Sequence, residues 1–218
     1  MSQQDIFLAG EGDQWFARNG QVLHPERDDY VALLRQLAIE PQQVLEIGCA
    51  NGYHLEALRQ AFNCQAHGIE PSQAAVDAGQ QQFPQLQLTT GSARQLPYAK
   101  NTFDLVILGF CLYLCDREDL FIIAAEVDRV LKDGGFVLIK DFCPPIAYRN
   151  PYGHQAGIYS FKMDYGRLFT WNPGYQMLAF QRMAHADETR RYHPDEQIAI
   201  QVLRKDLSAF AMERPFRE

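Results

Sequence analysis

The sequence predicts an α/β fold: one doubly wound, mostly parallel sheet with helices on both faces, finished by an antiparallel pair of strands. Three observations predict it. From residue 26 to residue 140, apolar runs of strand length alternate with segments of helical periodicity, an order that requires parallel strands joined by right-handed crossovers. The first strand runs into a glycine turn, Gly48-Cys49-Ala50-Asn51-Gly52, that opens a helix. After residue 170 the alternation stops, and two strand-like runs follow with only a polar connection between them.

Glu26 to Ile39 has the spacing of an amphipathic helix, ended by Pro41. Gln43 to Ile47 is a short buried strand, and the glycine turn after it leads into a helix through Ala61. Ala66 to Ile69 is the second strand; Glu70-Pro71-Ser72 follows, then a helix ending near Phe83-Pro84. Leu86 to Thr90 and Phe103 to Gly109 are the third and fourth strands. Arg117 to Leu131 reads as a long helix with Lys132-Asp133-Gly134-Gly135 as its left-handed C-terminal turn, and Phe136 to Lys140 as the fifth strand. Cys143 to Gly157, rich in Pro, Gly, Tyr and Asn, reads as a loop, Ser160 to Phe169 as a short helix and Asn172-Pro173-Gly174 as a turn. Tyr175 to Met183 and Ile198 to Leu203 complete the sheet as antiparallel neighbours. Residues 1–218 thus read as a single domain, with residues 1–25 an N-terminal arm and residues 143–172 an insertion.

Composition narrows the function. Of 218 residues, 47% are apolar and 22% charged, which excludes a disordered chain. The net charge of −7 and the lack of a basic stripe argue against a nucleic-acid partner. The N-terminus has no basic start, and the longest apolar run, Leu105 to Cys115, is shorter than the roughly 20 residues that span a bilayer. Five cysteines, mostly inside apolar segments, suit a reduced cytoplasmic protein, monomeric or homodimeric, with no membrane attachment. Cys111 and Cys115 lack the partners of a metal site, and the six histidines show no H-x-x-x-H spacing, so no metal is expected. His67 reads as structural; His54, on the first turn after the glycine loop, either meets a ligand or lies on the helix surface.

The strand ends carry the ligand argument. Glycines between a strand and a helix let a ligand approach the backbone, and the helix N-terminus offers free N–H donors. The spacing here departs from G-x-G-x-x-G, and Glu46 two residues before Gly48 would repel a phosphate but suits a ligand carrying positive charge. Glu70, at the end of the second strand, lies where a carboxylate can accept bonds from both hydroxyls of an adenosine ribose. Gly91-Ser92-Ala93 and Gly109-Phe110 end the third and fourth strands at the same edge. A short-chain oxidoreductase would need G-x-x-x-G-x-G and Tyr-x-x-x-Lys, and neither occurs.

Taken in order, VLEIGCANG, GIEPS, TTGSARQLPYAKNTFDLVILGF and LKDGGFVLIKDF resemble the successive motifs of the class I S-adenosylmethionine-dependent methyltransferases, over residues 26–141. The resemblance implies a seven-stranded Rossmann-like methyltransferase fold, S-adenosylmethionine as cofactor with S-adenosylhomocysteine as product, and no metal. It implies that Glu46, Gly48, Cys49 and Ala50 line the methionine end, with Gly109 and Phe110 nearby. Glu70 and Pro71 would hold the ribose, and Ser92 and Ala93 the adenine. Ala50 stands where the family commonly has a second glycine, and Ser92 where it often has Asp.

The implied reaction is in-line methyl transfer to an O or N atom of a small polar molecule, with a general base optional. His154 is the first candidate base and Asp141 the second; Tyr113, Tyr159, Lys162 and Asp164 are candidate acceptor contacts. Lys162 with Arg149 and the tyrosines would suit a sugar, a nucleotide-linked sugar or an aromatic acid. Trp15 and Phe16 either fold over the cofactor as a lid or pack the arm on the domain, and the insertion is either a substrate cap or a surface loop. A non-catalytic relative that binds the cofactor or a partner is the alternative reading.

Overall fold

The computed structural model describes residues 2–25, 29–186, 188–190 and 192–210. Glu26, Arg27 and Asp28, where the first predicted helix begins, and the residues after Phe210 lie outside them. In chain order the elements are α1 (Gln3–Ile6), continued by a wide turn into α2 (Gly12–Asn19), α3 (Asp29–Gln36), β1 (Gln43–Ile47), α4 (Tyr53–Phe62), β2 (Gln65–Glu70), α5 (Gln73–Gln82), β3 (Gln87–Thr90) and β4 (Phe103–Gly109). They continue with α6 (Leu120–Val130), β5 (Leu131–Phe142), β6 (Tyr148–Pro151), β7 (Tyr159–Lys162), α7 (Arg167–Thr170), β8 (Tyr175–Ala184) and β9 (Gln197–Lys205).

Seven strands form one sheet in the order β3-β2-β1-β4-β5-β9-β8. The first five are parallel, and β9 is antiparallel to both β5 and β8. This is the doubly wound sheet with a terminal hairpin that the sequence predicts. Alternation along each central strand buries both of its faces. Leu45, Ile47, Val106 and Leu108 join one apolar cluster with Leu120, Ile123 and Val127 of α6 and with Leu168 and Phe169 of α7. Val44, Leu105 and Ile107 join the other, with Leu33 and Leu34 of α3, Leu55 and Leu58 of α4 and Val76 of α5. The chain leaves β1 toward β2 on one side and returns to β4 on the other, so a crevice opens where β1 and β4 end together.

Three expectations need correction. The segment Ser160 to Phe169 is not one helix: β7 and the short α7 divide it, because Phe161 and its neighbours pair with Tyr148–Pro151 across a two-stranded sheet. The loop predicted over Cys143 to Gly157 therefore contains β6. Gly134 does have the left-handed φ of +78°, but inside β5 rather than at a helix end; α6 stops at Val130 when Leu131 turns extended, pairing with Phe103. The cause is the same in each case, since strand pairing with a distant segment overrides the local pattern.

Residues 2–19 are mostly helical and lie across the crevice. Gln3 is buried, donates to the Leu114 and Tyr159 carbonyls at 2.8 and 3.1 Å, and accepts from the Tyr159 N–H at 2.6 Å. The β6–β7 hairpin is tied in turn to the β8–β9 connection, where Tyr148 and Lys162 both reach Asp195. Among the described residues, no helix is long and apolar enough to cross a membrane, and the five cysteines are free thiols.

Candidate functional site

The crevice is a cavity of about 430 Å³ at the carboxyl ends of β1, β2 and β4. Its floor is the glycine turn. Gly48 has φ +75°, and a Cβ there would come within 2.6 Å of the Cys111 Cβ, so the turn requires glycine for conformation and for room. Ala50 takes φ +48° without being glycine. Placing alanine in the left-handed region costs about 1 kcal/mol or more, so Ala50→Gly should raise the unfolding free energy by about 0.5–1 kcal/mol after the added freedom of the unfolded chain is counted. Urea denaturation checks this.

Glu70 is the central charged group. It is 7% exposed and lines the cavity. Its Oε2 accepts from the Ala50 N–H at 2.9 Å and its Oε1 from the Ser72 N–H at 3.0 Å. Burial pushes its carboxyl up to about 7 against the pull of those two donors. Both oxygens keep acceptor capacity for groups inside the cavity. Glu46, buried on β1, has its Oε1 close to Gly109 at the end of β4.

Ile47, Gly48, Ala50, Pro71, Gly91, Ser92, Ala93, Gly109 and Phe110 complete the sheet side of the cavity. Cys49 does not line it: its side chain is buried, with its Sγ 2.4 Å from where a Cβ on Gly68 would sit, and only the backbone beside it faces the turn. The far wall is aromatic. Phe7 and Trp15 come from the arm, Tyr113 from the turn after β4, and Tyr152 with His154 from the hairpin. Trp15 and Tyr113 line this wall together. Tyr152 stacks edge-on with His154 at 5.3 Å and accepts from Arg18 at 3.1 Å. Phe16 packs beside Gly20 within the arm and is not a wall residue.

The other candidates stand elsewhere. Asp141 is 2% exposed, and its carboxylate accepts from the backbone N–H groups of Leu112, Tyr113 and Phe142 at 3.0, 3.2 and 2.7 Å. It holds the turn that carries Tyr113 and does not itself line the cavity. Lys162 lies 4.0 Å over the Phe142 ring and pairs with Asp195. Asp164 accepts from Gly166 and Gln201, and Tyr159 stacks under Arg149 on the outside of the hairpin. The cations expected to greet an anionic acceptor, Lys162 and Arg149, are therefore engaged away from the cavity.

Two imidazoles join His154 around the cavity. His54 is buried between Tyr30 and Tyr53, with ring separations of 4.2 and 3.9 Å. His185 packs on Phe110 and Phe142 at 5.3 and 5.1 Å, and burial lowers its pKa. His185 and Tyr152 carry no sequence signal of their own; the β8–β9 connection and the β6–β7 pairing bring them in. His67 lies in an edge-on aromatic cluster with Tyr98 and Phe103. Burial raises the thiol pKa values of Cys111 and Cys115, the latter to about 12, so both are protonated wall groups. Among the described residues no cluster of His, Cys, Asp and Glu could hold a metal ion.

Residues 44–135 match the methyltransferase domain family. The demethylmenaquinone methyltransferase of Lysinibacillus sphaericus is 31% identical over 111 residues, 48% of this chain and 47% of that protein. The fatty-acid O-methyltransferase of Mycolicibacterium smegmatis is 29% identical over 118 residues, 53% of this chain and 42% of that protein. The chain thus spans about half the length of the curated relatives it matches. A solved S-adenosylmethionine-dependent methyltransferase from Methanosarcina mazei superposes with a TM-score of 0.66 at 16% identity, covering 84% of this chain and all of that one, and shares the fold.

Proposed function

Because residues 44–135 match the methyltransferase domain family and the sheet shares the fold of a solved S-adenosylmethionine-dependent methyltransferase, we propose that the chain is a class I enzyme of that kind and methylates an O or N atom of a small molecule with S-adenosylmethionine as donor. One observation carries the reading: a buried carboxylate, Glu70, opens onto a cavity floored by a glycine turn at the switch point of the sheet. The cavity suits that cofactor, since it offers acidic side chains at two strand ends and no cationic side chain among its described walls. Glu70, beside Pro71, would hold the ribose; Ser92 and the Ala93 N–H would meet the adenine. Glu46 and the backbone of Gly48 and Ala50, on either side of the buried Cys49, would meet the methionine end, with the Gly109 and Phe110 backbone alongside.

When bound, the cofactor supplies an electrophilic methyl group on a sulfonium. The rest falls to the chain. Trp15 and Phe7 keep water from the cavity, which strengthens each electrostatic contact inside it. Phe110, Tyr113 and Tyr152 present flat apolar faces to an acceptor, and His154 takes the acceptor's proton at an imidazole nitrogen. Asp141 acts by holding the Tyr113 turn. Tyr159, Lys162 and Asp164 contribute through the hairpin they brace. The acceptor favoured by these walls is a neutral or weakly basic small molecule with a reactive O–H or N–H, since no cationic side chain lines the described cavity to greet an anion.

Isothermal titration with S-adenosylmethionine and S-adenosylhomocysteine, against NADH as control, tests the cofactor half; binding of NADH alone would overturn it. Labelled methyl transfer to a panel of phenols, amines, carboxylic acids and sugars tests the acceptor half. On the acceptor found, His154→Ala should lower turnover about a hundredfold or more while leaving S-adenosylhomocysteine affinity unchanged. A loss within about twofold, where a base usually contributes 10²–10⁴, withdraws the proton-transfer role.

A further inference from the structure

Asp13, on the first turn of α2, joins the arm to the start of α5. Its Oδ1 accepts from the Ser72 hydroxyl at 2.7 Å and from the Ala74 N–H at 3.0 Å. Ser72 is 1% exposed, and its Oγ in turn accepts from the Ala75 N–H. The two residues together therefore cap the N-terminus of α5 with groups from segments 59 residues apart. The chain approaches closely next door: a Cβ on Gly12 would stand 3.2 Å from the Ser72 nitrogen and 3.1 Å from the Phe7 carbonyl oxygen. That same Ser72 nitrogen donates to Glu70.

One corner thus serves two purposes. The Glu70-Pro71-Ser72 segment presents the carboxylate to the cavity and also receives the arm that carries Phe7 and Trp15 over it. The arm's other fastenings, Gln3 on Leu114 and Tyr159 and Arg18 on Tyr152, lead to the hairpin and the turn after β4 rather than to this corner. We infer that Asp13 is a positioning residue, a latch that ties closure of the arm to the nucleoside-holding corner, so that a bound nucleoside leaves only when the Asp13–Ser72 contact breaks. This rests on the cofactor reading above and adds a function for a residue that touches neither cofactor nor acceptor. Occupancy and closure then favour each other, because the Ser72 segment bonded to Glu70 is the one the arm holds in place.

The probe is S-adenosylhomocysteine, followed by stopped-flow fluorescence of Trp15 in a Trp171→Phe background. Asp13→Ala removes both bonds, and Gly12→Val separates the same two segments by crowding rather than by loss of a bond. Each should speed release of the nucleoside about tenfold or more, the effect of losing charge-assisted hydrogen bonds, with association changed little. Asp13→Asn, which keeps an acceptor oxygen, should recover most of the parent's slow release. Release from both Asp13→Ala and Gly12→Val at the parent rate overturns the latch. Acrylamide quenching of Trp15 without nucleoside gives an independent readout: it should rise in both variants, and quenching equal to the parent's also overturns the latch. If the parent binds no nucleoside while quenching rises in the variants, the cofactor reading fails and the arm contact stands.

Discussion

Glu70→Ala is expected to weaken S-adenosylhomocysteine binding about a hundredfold or more, because each hydrogen bond to an ionised carboxylate contributes about 1.5–3 kcal/mol and a ribose brings two hydroxyls. The substitution also strands the Ala50 and Ser72 N–H groups at the rim of the glycine turn, so the loss includes the disordering of that turn. Titration calorimetry measures it; affinity within about threefold of the parent would remove Glu70 from the ribose. The pH dependence has a definite sign. Burial puts the carboxyl at about 7, and donors in the cavity favour its ionised form. Nucleoside affinity should therefore fall as pH drops below about 7, approaching tenfold per pH unit, and Glu70→Gln should flatten that slope.

Asp141→Ala should destabilise the fold by about 3 kcal/mol or more, since buried N–H groups left without an acceptor cost about 1–3 kcal/mol each. Three backbone donors, from Leu112, Tyr113 and Phe142, lose their partner at once. Urea denaturation gives the magnitude, and a loss under about 1 kcal/mol would show that the turn finds other acceptors. Asp141→Asn keeps one acceptor oxygen and should lose less. Burial raises the Asp141 carboxyl from its ordinary value of 3.8 to about 7 in the folded protein. The folded state holds the proton more tightly, so this group's stabilisation is complete below about pH 4 and is lost as pH rises toward 7. The parent's advantage over Asp141→Asn should shrink across that window.

Much of the site was legible before the structure was. Glu46, Gly48, Glu70, Ser92 and Gly109 lie at strand ends, and strand ends follow from the alternation of apolar runs. A carboxylate about 20 residues beyond a glycine turn is then placed beside it by parallel pairing of β1 and β2. Asp141 had the right position at a strand end, yet its carboxylate turns back onto three N–H groups. Its surroundings come from a turn 28 residues away, and spacing carries no record of them. The helical pattern covers both Lys162 and Asp164; instead, β6–β7 pairing sets Lys162 toward Asp195, and Asp164, in the turn after β7, meets Gln201 of β9.

By itself the sequence determined the sheet, its crevice and the carboxylate beneath it, because the two-residue period of strands and the 3.6-residue period of helices are local properties that a chain must display to bury its apolar faces. Only the tertiary structure decided what closes the crevice. Trp15, Tyr113, Tyr152 with His154, and His185 come from four separate segments, brought together by hydrogen bonds such as those from Gln3 to Tyr159 and from Ser72 to Asp13. Contacts of that kind depend on where two distant backbones meet, and no periodicity in either segment announces them.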